Sequence, residues 1–211
     1  MRRAAAWGAI MIAATLAACS AIPDKPVRAT VYDFGPTPAA NPAALQPPTL
    51  QALVLADVEV TGALDGSAVL YRLGYADEHQ LRPYSQARWS APPPQLIRQR
   101  VRQRLGLERP VLDLGESAGL AREGGAAPRV LRMGLEEFSH LFETEARSWG
   151  VLRLRATLLE NTPAGERLLA QRTFVVRQPA PSADAPGGVR ALTAATDTVA
   201  QEIAQWMQGL R

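Results

Sequence analysis

The chain has 211 residues, of which 47% are hydrophobic and 20% charged, with a formal net charge of +3. These values fit one globular domain, or one domain on a tether. They exclude the strongly basic surface expected of a nucleic-acid partner, because Arg2 and Arg3 lie in a leader whose loss lowers the charge from +3 to +1.

The leader has three regions. Met1-Arg2-Arg3 is positive, Trp7 to Leu16 is apolar, and Ala17-Ala18 suits the small subsites of a signal peptidase. The apolar run is shorter than the roughly 20 residues that span a bilayer. Leu16-Ala17-Ala18-Cys19 resembles the bacterial lipobox, in which cleavage precedes the cysteine and the cysteine receives diacylglycerol and palmitate-type acyl chains. The alternative is a secreted protein with an incidental thiol. Cys19 is the single cysteine of the chain, and an unpaired thiol in an oxidising compartment is a liability that acylation removes. Ser20 follows it where an Asp would resemble an inner-membrane retention signal, which implies the periplasmic face of the outer membrane. Several acyl chains on one cysteine anchor a protein stably.

The expected organisation is a signal peptide over 1–18, a proline-rich tether over 19–49 and a domain over 50–211. The tether carries Pro23, Pro26, Pro36, Pro38, Pro42, Pro47 and Pro48, which favours either an extended spacer or plain disorder. Val31-Tyr32-Asp33-Phe34 interrupts it and is a candidate short strand. Leu50–Val60 reads as a strand from the alternation of Val58 and Val60 with Asp57 and Glu59. Ala68–Tyr75 reads as a second strand, in which Gly74 marks a bulge or a close backbone approach. Ala76 to Gln80 reads as a polar loop. Pro92-Pro93-Pro94 stops a strand and starts a helix over Gln95–Leu105, with Ser90 as the candidate cap and Gly106 as the stop. Leu96, Ile97, Val101 and Leu105 form its apolar stripe, and Arg98, Arg100, Arg102 and Arg104 spread around the rest. That arginine series reads as a solvated face, with phospholipid headgroups or an acidic partner as the alternatives.

A short strand over Val111–Leu114 precedes a glycine-rich loop over Glu116–Pro128. Three strands follow: Val130–Phe142, bulged near Glu136 where the apolar parity shifts; Val151–Leu159, with Leu152, Leu154, Ala156 and Leu158 on one face; and Leu168–Val176. They read as an antiparallel meander with one wet face. Gln178–Gly188 reads as a loop. A last helix over Val189–Met207 places Leu192, Thr196, Val199, Ile203 and Trp206 at helical spacing. The expected fold class is α/β (α+β): a single domain with a mostly antiparallel mixed sheet of about five to six strands under two main helices.

The chemistry is mostly negative. His79 and His140 lie far apart in the chain and neither has a ligand partner at metal spacing, so no metal or other cofactor is expected. No Gly-x-Ser-x-Gly elbow or phosphate-cradling glycine loop occurs. No catalytic residue is assigned, and the chain is not expected to be an enzyme. Glu136, Glu137, Glu143 and Glu145 read as a solubilising rim.

The order of pieces carries a resemblance. The lipobox is followed by Val69-Leu70-Tyr71-Arg72, then Tyr84, Arg88-Trp89 and Pro92-Pro93-Pro94 before an amphipathic helix. The meander around Phe138 and Phe174 and a helix with Trp206 complete it. This order resembles the ABC-type transport auxiliary lipoprotein family, which includes the PqiC-type lipoproteins, over about Leu50 to Leu210. The resemblance implies a non-catalytic, outer-membrane-anchored partner of a lipid transport system. Its other components would be a protein with mammalian-cell-entry (MCE) domains, a permease and an ATPase. Phospholipid contact and homo-oligomerisation are further expectations of that kind. The alternative is a structural envelope lipoprotein or a regulator of a cell-wall synthase. Tyr71, Tyr75, Tyr84 and Trp89 are the candidate partner or lipid surface, against the plainer reading of core or turn aromatics.

Overall fold

The structure is a computed structural model that describes residues 28–36, 50–60, 62–115 and 127–210. The signal peptide, the Leu16–Cys19 lipobox and the glycine-rich loop at 116–126 lie outside the described residues, as does the tether apart from 28–36. The elements are β1 (Thr30–Tyr32), β2 (Leu53–Glu59), β3 (Ala68–Leu73), β4 (Asp77–Trp89), α1 (Pro93–Gly106), β5 (Val111–Leu112), β6 (Arg129–Phe142), β7 (Ser148–Thr162), β8 (Gly165–Pro179) and α2 (Ala185–Gln208).

The eight strands form one mixed sheet that branches at β6. One side of β6 pairs antiparallel with β7 along its whole length, from Val130↔Leu159 to Phe142↔Ser148. The other side is shared. β2 lies parallel to its first half, and β3 parallel to its end, at Tyr71↔His140 through Leu73↔Phe142. β5 continues the sheet beyond β2, whereas β4 and then β1 continue it beyond β3. The β6–β7 register shifts between Leu135 and Glu137, at the bulge that the parity change at Glu136 predicts.

Both helices pack on one face. In β7, Leu152, Leu154 and Ala156 are fully buried toward them, while Arg153 and Arg155 between them are exposed. On α2, Leu192, Val199 and Ile203 are fully buried, each contributing about 1.5–3 kcal/mol of hydrophobic stabilisation, and Trp206 meets Phe174 edge-on at 5.9 Å. Gly150 and Gly188 let α2 approach. A Cβ on Gly150 would lie 2.5 Å from backbone atoms of Ala191 and Leu192, and one on Gly188 would lie 2.4 Å from His140 Nδ1. Gly74 likewise sits under the carbonyl of Phe142, which makes it the close approach rather than the bulge.

Several boundaries differ from expectation. The sheet has eight strands, because Asp77–Gln80 begins β4 instead of forming a loop and because the Val31–Phe34 candidate supplies the three-residue β1; β5 keeps two residues of the strand expected at Val111–Leu114. α1 is entered through Pro92, with no side-chain cap, so Ser90 does not cap it. Proline's fixed φ and missing N–H suit that first turn without one. α2 starts at Ala185, four residues earlier than predicted, because Asp184 caps it by accepting a hydrogen bond from Gly187 N at 2.7 Å.

Candidate functional site

The four candidate surface aromatics divide. Tyr71 on β3 and Tyr84 on β4 are half-buried and tilted against each other with ring centroids 4.6 Å apart. Trp89 is a core residue, 3% exposed, edge-on to Phe34 at 5.4 Å and tilted against Phe138 at 5.6 Å. Its place at the end of β4, opposite Tyr32, turns it toward the helices, so it is withdrawn as a surface residue. Tyr75 stands apart in the β3–β4 turn, 48% exposed.

Tyr71 and Tyr84 belong to a cluster that includes His140 and Phe142 of β6. The Tyr84 hydroxyl and His140 Nδ1 share a hydrogen bond of 2.8 Å, and the His140 ring lies 4.4 Å from that of Phe142. His140 is fully buried beneath Gly188, and its Nε2 has no hydrogen-bond partner among the described residues. Burial depresses its pKa to about 4, and the Asp184 carboxylate opposes that only in part. Burial pushes the Tyr84 hydroxyl the other way, well above its ordinary value. The pair is therefore neutral, with the imidazole buried and the tyrosine half-buried, which suits a packed polar contact. The alternation Phe138, His140, Phe142 on β6 was the available signal for this cluster, and sequence reasoning passed over it.

On the sheet face away from the helices, a groove of about 490 Å³ is lined by Arg72, Glu137, Leu141, Val151, Arg153 and Val175 among others. Arg72 donates to both carboxylate oxygens of Glu137 at 3.3 Å and to the Glu78 carbonyl at 3.1 Å. Leu141 and Val151 are half-buried in its floor and Val175 is 54% exposed. The groove offers an apolar strip between fixed charges, a surface suited to a partner with an apolar ridge and polar flanks. His79, on β4, lines the same groove.

The arginines of α1 are not a solvated face. Arg98 donates to the Leu55 and Ala56 carbonyls and pairs with Asp57 and Asp113, while Arg102 binds Asp113 and the Val111 carbonyl. Arg104 pairs with Glu108, and Arg100, 6% exposed, pairs with Asp197 at 3.3 Å. Of the acidic rim, Glu136 pairs with Arg155 and Glu143 with Arg147 and Arg177. Among the described residues, no group of three or more His, Cys, Asp or Glu side chains is placed to hold a metal ion, and no helix is long and apolar enough to cross a membrane.

The model of one protein family, described as the ABC-type transport auxiliary lipoprotein component, matches residues 32–204. The chain belongs to that family. The match begins at the last residue of β1 and ends in α2, so it takes in β2 to β8, α1 and most of α2. The auxiliary lipoprotein is also similar to solved structures. Protein XCC0632 from Xanthomonas campestris aligns at 21% identity and a TM-score of 0.68, covering 86% of this chain and 96% of that one. The hypothetical protein CT253 from Chlamydia trachomatis aligns at 12% identity and a TM-score of 0.51, covering 76% and 96%. At such identities the likeness is one of fold. No curated protein matches the chain.

Proposed function

We propose that this auxiliary lipoprotein is a non-catalytic component of an ABC-type lipid transport system. It is held at the periplasmic face of the outer membrane by acylated Cys19, where it docks an MCE-domain assembly served by a permease and an ATPase. The observation that carries this reading is the family match over residues 32–204. The Leu16-Ala17-Ala18-Cys19 lipobox supports the anchor, and Ser20 in the following position supports the outer membrane. The docking surface is the open sheet face around Leu141, Val151 and Val175, with Tyr75, exposed in the β3–β4 turn, as a further contact; Tyr71 and Tyr84 lie with His140 on the opposite, helix-covered face. Phospholipid contact and self-association belong to the same proposal.

The test is affinity capture of the native acylated protein from membranes, with mass spectrometry of proteins and lipids. Recovery of an MCE-domain protein with permease and ATPase is expected, and a Val151→Asp variant should lose it while keeping its fold. Recovery of cell-wall synthases with no transporter component would overturn the proposal. Phospholipid retained above a Cys19→Ser control would mark direct lipid contact.

A further inference from the structure

The N-terminal segment is built into the fold. β1 pairs parallel with the end of β4, and the Tyr32 carbonyl accepts from Ser90 N at 2.7 Å. Phe34 is 8% exposed, with its ring against Trp89 and Phe138. Gly35 turns the chain at a φ of +67°, and Asp33 secures the turn by accepting from Gly35 N at 2.8 Å. Arg100 reaches across from α1. It donates to the carbonyls of Phe34 and Gly35, sets its guanidinium 5.9 Å from the Phe34 ring and pairs with Asp197 of α2. Opening this arrangement would break two hydrogen bonds of a buried arginine and expose the Phe34 ring, so the closed state is favoured.

We infer that this clamp sets the reach of the anchor: residues 30–35 are fixed to the domain, so only Ser20–Ala29 link acylated Cys19 to the fold, and the residues from Pro36 to Thr49 add nothing to that reach. This rests on Cys19 being the anchor. Ten residues extend at most about 35 Å, whereas thirty, from Ser20 to Thr49, would extend about 100 Å. The clamp therefore keeps the folded domain close to the bilayer. Release of Phe34 would let the same chain stand off roughly three times as far.

The experiment compares two insertions in the full acylated protein on a supported phosphatidylethanolamine bilayer, with the height of the protein layer read by neutron reflectometry. A ten-residue Gly/Ser insert between Pro26 and Val27 doubles the leash and should raise the layer by about 7 Å. The same insert between Asn41 and Pro42 should leave the height unchanged. Equal rises from both would overturn the inference. Combining the second insert with Phe34→Ala and Arg100→Ala should restore the rise, and an unchanged height there would also count against the clamp. A chain that is not acylated and does not bind the bilayer would sink the anchor reading alone. Hydrogen exchange of the soluble Cys19→Ser chain then decides the clamp: a protected Ser90 amide supports it, and exchange at the unprotected rate overturns it.

Discussion

At the scale of single residues, His140 is the titrating group whose position has the clearest consequence. Burial against Gly188 and Phe142 holds its folded pKa near 4, against about 6.5 in an unfolded chain. Above pH 6.5 neither state binds the proton and His140 leaves stability unchanged with pH. Between 6.5 and 4 the unfolded chain takes up a proton that the folded chain refuses, so stability falls as the pH falls, by about 3 kcal/mol across the window. Asp197 acts in the opposite sense. Its pKa is raised by burial despite Arg100, so its contribution belongs to a more acidic range. Urea unfolding followed from pH 7.5 to 5.5 should therefore show a slope that His140→Gln flattens. A slope unchanged by that substitution would show that the ring is solvated in the folded protein.

At the scale of elements, α2 lies on the sheet as closely as Gly150 allows. The strand position, opposite His140 in β6, puts hydrogen where a side chain would meet the backbone of Ala191 and Leu192. Gly150→Ala should destabilise the domain by about 2–3 kcal/mol, by the overpacking it forces. Calorimetry should then show Tm lowered by about 5–10 °C, with an unchanged Tm meaning that α2 can slide. This contact explains what was legible. The β6–β7–β8 meander and α2 each repeat an apolar period over a dozen or more residues, so Leu152, Leu154, Ile203 and Trp206 could be placed from the sequence. β4 could not, because Asp77-Glu78-His79-Gln80 has no apolar alternation. An edge strand tolerates that composition, and tolerates Pro83, since among the described residues one side of it faces no neighbour over those positions. Arg100 was illegible for another reason. Its helical position borders the Ile97–Val101 stripe, and its burial depends on Asp197 and on carbonyls that come from distant parts of the chain.

At the scale of the whole molecule, the folded unit already includes residues 30–35, well inside the proline-rich stretch. Val31-Tyr32-Asp33-Phe34 was the visible signal of it, but the proline- and alanine-rich composition around those four residues assigned the whole of 19–49 to a tether. A chain begun at Arg28 should therefore fold like the full protein. A chain begun at Leu50 should not, because it loses β1 and the Phe34 ring and leaves Trp89 open on one side. It also strips Arg100 of the Phe34 and Gly35 carbonyls while its charge stays buried beside Asp197. Removal of a buried phenylalanine alone costs about 3–5 kcal/mol, and a few degrees of Tm accompany each kcal/mol in a domain of this size. The shorter chain should melt at least about 10 °C below the longer one, and it should bind a hydrophobic dye at the exposed Trp89 edge. Equal melting temperatures would mean that residues 30–35 rest on the domain without contributing to it, and that the thirty-residue spacer reading should be restored.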